Sequence, residues 1–161
     1  MRKKVFIAGL IVFLCTLTGQ ATEPKQDVYI NAFSDYQISY PADWIIDVSS
    51  AKNGYVALFD PRALSTKDTS LELLIGMKIE ILTNLEPEDM TNLIAGCSVS
   101  PEITFQELRM KQNQYWCYSQ ETLIIIVPLG KTVLIAYIPE KDKKTTYWQQ
   151  FNQILFTFKS G

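Results

Sequence analysis

The clearest pattern in the chain is Glu72-Leu-Leu-Ile-Gly-Met-Lys-Ile-Glu-Ile81, where apolar side chains fall at every second position. In an extended strand, successive side chains point to opposite faces. One face would therefore carry Leu73, Ile75, Met77, Ile79 and Ile81, and the other Glu72, Leu74, Gly76, Lys78 and Glu80. This alternation predicts a strand with one buried face and one mostly solvated face.

Further extended segments precede this strand. Tyr36-Gln-Ile-Ser-Tyr40 alternates in the same way, and Pro41-Ala-Asp-Trp44 predicts a turn after it. Ile45 to Val48 and Tyr55 to Phe59 flank Asn53-Gly54. This dipeptide favours a two-residue hairpin turn, because both turn positions take positive φ. We therefore expect the two flanking segments to pair.

Two more hairpins are predicted on the carboxyl-terminal side. Residues 103–110 and 115–121 flank the polar run Lys111-Gln-Asn-Gln114, which is predicted to be their turn. Residues 123–127 and 132–138 flank a second turn, Pro128-Leu-Gly-Lys131. Because Leu123-Ile-Ile-Ile-Val127 is apolar on both faces, we expect that strand inside the sheet rather than at its edge.

Two segments have helical spacing. Pro87 is predicted to open a short helix, with Met90, Leu93 and Ile94 on its buried side and Gly96 at its end. Near the carboxyl end, a helical stripe collects Tyr147, Trp148, Phe151, Ile154 and Leu155. Two helices cannot coat both faces of a wide sheet. The predicted class is therefore α+β, an antiparallel β-sheet with helices packed on it.

The first 21 residues have the features of a secretory signal peptide. The basic segment Met1-Arg-Lys-Lys4 precedes an apolar run from Val5 to Leu17, and Gly19-Gln-Ala21 predicts a cleavage site after Ala21. A retained membrane anchor is the alternative, although the run is shorter than the ~20 residues of a spanning helix. A lipid anchor on Cys15 is a third possibility. We expect an exported mature chain, either periplasmic or secreted.

The mature chain is predicted to be one domain. Residues 22–27 are polar and are expected to form a flexible tail, and residues 28–161 form the domain. Its two cysteines, Cys97 and Cys117, are most simply joined by one disulfide in an exported protein. The alternative is a pair of buried free thiols.

Composition excludes several kinds of chemistry. The chain has no histidine, so a His-dependent triad or a His-ligated zinc site cannot be built. Loss of Arg2, Lys3 and Lys4 with the leader takes the formal charge from −2 to −5 by the same count. An acidic domain is a poor match for nucleic acid or for an anionic membrane surface. No cofactor or metal is expected, and no nucleotide-binding or nucleophile motif occurs.

Charged clusters have ordinary explanations. Asp43, Asp47 and Asp60 could be imagined as a calcium site, but they lack the spacing of a calcium-binding loop and are expected to be turn residues. Glu86-Pro-Glu-Asp89 suits the start of a helix. Lys141-Asp-Lys-Lys144 could dock an acidic partner and is expected to be a solvated loop before the last helix.

Tyr115-Trp-Cys-Tyr118 is unusually aromatic for a strand. Its alternation would place Trp116 and Tyr118 on one face. If Tyr115 and Cys117 face the core, this pair forms an exposed contact patch. If the carboxyl-terminal helix covers the pair, both side chains belong to the core. The sequence leaves these two alternatives open.

Both ends of the mature domain resemble PsbP-like domains. Tyr36-Gln-Ile-Ser-Tyr-Pro-Ala-Asp-Trp44 is similar to their aromatic, alternating opening, which ends in Pro-x-x-Trp. The final segment, Trp148 to Lys159, is similar to their closing helix and its short tail. The resemblance implies an α/β/α sandwich and an accessory or binding role without catalysis. It assigns a structural role to Pro41 and Trp44, and no metal ligands carry over.

Three functions follow from these features. The first is an exported, non-catalytic accessory domain of the bacterial cell envelope that binds a protein or another envelope component. The second is a carrier of a small apolar ligand in a cleft between the sheet and the carboxyl-terminal helix. The third, an enzyme that uses carboxylates and tyrosines, would need two converging carboxyl groups with different pKa values.

Overall fold

The alternation that predicts the central strand matches the burial of its side chains. The computed structural model describes residues 25–64, 76–105, 110–119 and 122–160. Met77, Ile79 and Ile81 have no exposed surface, and the last two belong to strand β5 (Lys78–Leu82). The first half of the alternating stretch, residues 71–75, lies outside the described residues, as does the predicted leader.

Within the described residues the chain forms ten strands and two helices. The other strands are β1 (Gln26–Asn31), β2 (Tyr36–Pro41), β3 (Ile45–Asp47), β4 (Tyr55–Phe59), β6 (Ser98–Phe105), β7 (Met110–Ser119), β8 (Thr122–Leu129), β9 (Thr132–Pro139) and β10 (Lys159–Ser160). The helices are α1 (Pro87–Leu93) and α2 (Glu140–Leu155).

Seven strands form an antiparallel main sheet in the order β3-β4-β5-β9-β8-β7-β6. The apolar strand β8 lies between β9 and β7, so the prediction that it is internal is confirmed. Its side chains are buried on both faces, as Ile125 and Ile126 show. The β8–β9 hairpin also forms as predicted, and Gly130 supplies the positive φ of 65° at its turn.

The β3–β4 pair forms through a different turn from the predicted one. Asn53 does not have positive φ; it ends a 3₁₀ turn that starts at Ala51. Of the two residues in the predicted turn, Gly54 alone is left-handed, with φ of 80°. The Asp47 carboxylate accepts the Ser49 N–H at 2.9 Å, which starts the longer connection directly after β3. The prediction of a two-residue turn at Asn53-Gly54 is therefore wrong, whereas the predicted pairing is confirmed.

The predicted turn at residues 111–114 is also wrong, because these residues belong to β7. Their polarity suggested a loop, but Gln114 is buried and has partners for its amide. It donates to Asn152 Oδ1 of α2 at 3.2 Å and accepts from the Trp116 indole at 3.1 Å. The strands β6 and β7 do pair, and the residues that connect them, 106–109, lie outside the described residues.

A second, three-stranded sheet has the order β1-β2-β10, and we call it the small sheet. Its first strand begins at Gln26, so Gln26 and Asp27 are paired with β2 rather than part of a flexible tail. The Ala42 N–H also donates to the Lys25 carbonyl at 3.0 Å. On the other side of β2, Thr157 Oγ1 accepts the Ser39 N–H at 2.8 Å, and its single hydrogen is shared between the Ile154 carbonyl at 2.7 Å and the Ser39 carbonyl at 3.1 Å.

One core joins the small sheet, α2 and one face of the main sheet, which we call the inner face. Tyr36 and Ile38 of β2 are buried there together with Phe151 and Leu155 of α2. Helix α2 thus lies on the sheet as predicted. It begins at Glu140, so the prediction of a loop at residues 141–144 is wrong. Pro139, which ends β9, is followed directly by the first helical turn.

The opposite, outer face of the main sheet carries α1 over a smaller cluster. Met90, Leu93 and Ile94 are half-buried against Ile126 and Ile135. Gly96 follows the helix with φ of 79°. The architecture is α+β, as predicted: an antiparallel sheet with one helix on each face and a small sheet beside the longer helix.

Candidate functional site

Pro41 and Trp44 lie where β2 ends. The Trp44 N–H donates to the Pro41 carbonyl at 3.0 Å, which closes the predicted turn. Pro41 pairs with Gln26 at a ladder position that needs no N–H, because the neighbouring residues Asp27 and Lys25 make the hydrogen bonds to β2. The Trp44 side chain is buried in the main core. The surroundings of both residues are structural.

A disulfide joins Cys97 and Cys117, whose Cα atoms are 4.6 Å apart. Cys97 directly precedes β6, and the next residue, Ser98, pairs with Trp116 of β7. The two cysteines therefore occupy facing positions at one end of the β6–β7 ladder. The bond ties the edge strand β6 to its neighbour at the point where the chain leaves α1.

Trp116 and Tyr118 point to the same side of β7 but differ in surroundings. The Trp116 side chain is half-buried against the main core. Tyr118 is 55% exposed. Tyr115 and Cys117 pack on the opposite face with α1. Of the predicted patch, Tyr118 therefore offers a large accessible surface, whereas Trp116 is half-buried against the main core.

The three aspartates that were considered for calcium have separate surroundings. Asp60 is buried, and its carboxylate accepts the Arg62 N–H at 2.9 Å and pairs with the Arg62 guanidinium. Asp47 is exposed, and the Ser49 N–H lowers the pKa of its carboxyl. Asp43 is exposed. In the part of the chain that the structure describes, no three acidic or cysteine side chains are grouped closely enough to hold a metal ion.

Glu80 is the centre of a polar cluster that the sequence did not reveal. Its carboxylate accepts the Tyr55 hydroxyl at 2.9 Å on Oε1 and the Tyr137 hydroxyl at 2.8 Å on Oε2. Lys78 forms an ion pair with the same carboxylate. The Lys78 ammonium also lies 5.4 Å from the centre of the Tyr137 ring, within cation–π range. We call these four residues the Glu80 cluster.

The pKa values in the cluster follow from burial and charge. Burial alone would raise the pKa of Glu80, but hydrogen bonds from Lys78 and Tyr137 outweigh it, and the net shift is downward. Burial and the bond to Glu80 raise the pKa of Tyr55. Burial and the Glu80 charge raise the pKa of Tyr137. The cluster thus holds an ionised carboxylate between two protonated phenols.

The arrangement of the Glu80 cluster suits structure better than acid–base catalysis. Both carboxylate oxygens already accept hydrogen bonds from neighbouring strands. A general base would need an oxygen directed at a substrate proton. The sequence missed the cluster because Glu80, Tyr55 and Tyr137 are far apart in the chain and meet only through the strand order β4-β5-β9.

Strand β1 presents the most accessible apolar surface of the small sheet. Val28 is 59% exposed and Ile30 is 69% exposed, and both point outward because they are two positions apart. Their cross-strand neighbours on this outward face are Ser39 and Gln37. A shallow groove of about 260 Å³ lies beside them, lined by Ile30, Asp35, Tyr36, Gln37, Lys159 and Ser160.

The edge of β1 that faces away from β2 carries backbone groups without a partner strand among the described residues. The Lys25 carbonyl accepts from Ala42, and the Ser39 backbone groups bond to Thr157 on the side away from β1. In an antiparallel ladder, bonded and non-bonded pairs alternate. The N–H and C=O groups of Gln26, Val28 and Ile30 therefore point to the free edge. Among the described residues, no strand pairs with that edge.

The space between the main sheet and α2 is filled by side chains. Phe151 and Leu155 of α2 have no exposed surface, and neither do Ile125 and Leu134 of the sheet that they pack against. The carrier hypothesis placed its ligand cleft here. Side chains that would line such a cleft belong to one packed cluster instead.

Comparison with known proteins finds a likeness in fold. The solution structure of cyanobacterial PsbP from Synechocystis sp. PCC 6803 is similar, with a TM-score of 0.48 and 14% identity, over 89% of this chain and 96% of that chain. No family model matches the chain, and no curated protein matches it in sequence. No helix in the described residues has the length and apolar character needed to cross a membrane.

Proposed function

We propose that the mature chain is an exported, non-catalytic accessory domain of the bacterial cell envelope, which binds a protein partner on the outward face of its small sheet. The observation that carries this proposal is the pair of exposed aliphatic side chains, Val28 and Ile30, beside the groove on that face. Soluble proteins usually keep such side chains scattered, and adjacent ones on a sheet face favour a contact surface.

The chemistry of the face favours a protein rather than a charged polymer. Val28 and Ile30 alternate across the strands with the hydroxyl of Ser39 and the amide of Gln37. Apolar side chains interspersed with neutral hydrogen-bonding groups are the usual composition of a protein interface. The acidic balance of the mature chain also disfavours nucleic acid and anionic lipid.

Two further observations support export and a non-catalytic role. The disulfide between Cys97 and Cys117 suits an oxidising compartment, since such bonds are rare in the cytosol. The Glu80 carboxylate, which lies at the centre of the largest polar cluster described above, has both oxygens engaged by tyrosines.

Tyr118, together with Trp116, is a second candidate contact on a different part of the surface.

A photo-cross-linking amino acid placed at position 30 in the full chain tests the proposal in cells. We expect an adduct with an envelope protein after irradiation, and Ile30→Lys should abolish capture of that protein in a pull-down. Because Ile30 is exposed, the same change should leave the free energy of unfolding within about 0.5 kcal/mol.

The control position is Val99, which is 64% exposed on β6, an edge strand of the main sheet. A cross-linker there should give no adduct with the partner. Equal adducts from positions 30 and 99, or none from position 30, would refute the proposed face. Mass spectrometry of the mature chain should also find Thr22 as its first residue, as predicted for cleavage after Ala21.

A further inference from the structure

We propose that the free edge of β1 pairs in antiparallel fashion with the same edge of a second copy of this chain, which joins two small sheets into one six-stranded sheet. This inference concerns the edge of the small sheet and is separate from the partner proposed for its outward face. It rests on the direction of the backbone groups of Gln26, Val28 and Ile30.

The edge lacks the features that usually prevent strands from pairing with other chains. Natural edge strands carry prolines, bulges or charged side chains, or they are very short. Strand β1 is six residues long, pairs with β2 in continuous register, and contains no proline. Its one charged residue is Asp27, near the amino-terminal end.

Identical edges fit each other in one favourable register. With the two-fold axis at Val28, Val28 faces Val28 of the second copy and Gln26 faces its Ile30, which gives about six backbone hydrogen bonds. Asp27 then lies opposite Tyr29. The residues that form the hydrogen-bonded pairs of this ladder, Gln26, Val28 and Ile30, have their N–H and C=O groups on the free edge.

The alternative registers are poorer. A shift of one residue would oppose Val28 to Tyr29, whose backbone groups already bond to Ile38 of β2. A shift of two residues in one direction places Asp27 against Asp27, and like charges directly opposite each other are destabilising. A shift of two in the other direction extends beyond β1 and leaves about four hydrogen bonds. The Val28-centred register is therefore the one that this edge selects.

A second copy suits this edge because both strands bring the same neutral, aliphatic pattern. In the dimer the two exposed Val28 side chains become neighbours, and each covers part of the other. The interface is small, since it consists of one strand from each copy. We therefore expect a weak dimer, with a dissociation constant in the micromolar range.

Sedimentation equilibrium of the mature chain, measured from low to high micromolar concentration, tests the pairing through Val28→Pro and Val28→Ala. Proline removes the N–H that points to the free edge, a position where sheets tolerate it. We expect Val28→Pro to weaken dimerisation at least about 30-fold, the effect of losing two backbone hydrogen bonds. Val28→Ala keeps the N–H and should still dimerise.

Cysteine cross-linking gives a second readout that does not depend on the folding of the proline variant. Under mild oxidation, Val28→Cys should form a covalent dimer, because position 28 faces itself. Ile30→Cys should not, because position 30 faces Gln26. Two results would overturn the inference. The first is a wild-type chain that stays monomeric at every concentration, which is expected if another segment of the same chain covers the edge. The second is cross-linking at position 30 but not at position 28.

The outcomes separate this inference from the proposed function. Ile30→Lys should lose the envelope partner and keep the dimer, since a lysine opposite Gln26 leaves the backbone ladder intact. Val28→Pro should lose the dimer. If position 28 cross-links to a different protein and never to a second copy, the edge pairing is wrong, whereas the proposed binding of a protein partner stands.

Discussion

Glu80 has a negative charge on the outer face of the main sheet, and its neighbours keep it there. Tyr55 and Tyr137 donate to its two oxygens, and Lys78 supplies the opposite charge. A carboxylate on a sheet face that is partly shielded from water is stabilised only if its hydrogen-bonding capacity is met. The cluster therefore links β4, β5 and β9 through side chains as well as through the backbone.

The lowered pKa of Glu80 makes stability depend on acidity. A glutamate whose folded pKa is below its ordinary value of 4.5 contributes stability that is present above that value and is lost as the pH falls through the folded pKa. We expect Glu80→Gln to lower the free energy of unfolding by about 1–3 kcal/mol at neutral pH, because Lys78 loses its counter-ion.

Urea denaturation from pH 7 down to pH 3 measures this effect. The difference between wild type and Glu80→Gln should shrink below about pH 4.5, where the wild-type carboxylate takes up its proton. Asp35→Asn, at an exposed left-handed position that asparagine also tolerates, serves as the control and should change the free energy of unfolding by no more than about 0.5 kcal/mol. A constant difference across this range would show that Glu80 stabilises the fold by packing and not by charge.

At the scale of the secondary-structure elements, the disulfide ties one edge strand of the main sheet to its neighbour. It closes a loop of 20 residues that contains β6 and most of β7. Among the strands that the structure describes, β6 pairs with β7 alone, and its ladder is interrupted by a register shift between Ser100 and Ile103. A covalent link at the start of this ladder compensates for the missing neighbour on the other side.

We expect the double variant Cys97→Ala/Cys117→Ala to unfold with a free energy lower by about 3 kcal/mol, the value for cross-linking a loop of this length in the chain-entropy model. Hydrogen exchange should show where the loss falls. Amides of β6 should exchange faster by a larger factor than those of β9, which has neighbours on both sides. A uniform increase across the sheet would contradict a local role for the bond.

Elements with strong periodicity were predictable from the sequence, and polar runs were not. The strand from Lys78, the β8–β9 hairpin and α2 follow apolar spacing alone. Lys111 to Gln114 lies in a strand because α2 satisfies the Gln114 amide, a contact that no local pattern contains. Strand β1 was missed in part because an edge strand with an exposed face has no buried alternation to reveal it.

At the scale of the whole molecule, both sheets share one core. Ile38 of the small sheet and Leu134 of the main sheet belong to the same cluster as Phe151 of α2. No second core separates the small sheet from the rest of the described residues. The domain should therefore unfold as one unit, although its strands form two separate ladders.

Ile38→Ala tests this cooperativity. Ile38 is fully buried, so we expect a loss of about 2–5 kcal/mol, with far-UV and near-UV circular dichroism still reporting the same midpoint. Val28→Ala, on the outward face of the same sheet, is the matched control and should change stability by no more than about 0.5 kcal/mol. Two separate transitions in Ile38→Ala would mean that the small sheet is an independent unit.

The candidate sites were less predictable than the fold. The two cysteines were found from their number and the predicted compartment, and Tyr118 from the density of aromatic residues. The β1 surface and the Glu80 cluster depend on which strands become neighbours. That order is fixed by packing across the whole domain, so one-dimensional patterns do not contain it.

The hydroxyl of Thr157 has a consequence for how large an assembly this chain can build. By bonding to both backbone groups of Ser39, it occupies the ladder position that an incoming strand would need, and β10 blocks the rest of that side. On the β2 side, an incoming strand could pair only with the two residues of β10, so strand addition to the small sheet favours the longer β1 edge. A two-fold pair formed through β1 would therefore close on itself rather than propagate into a filament.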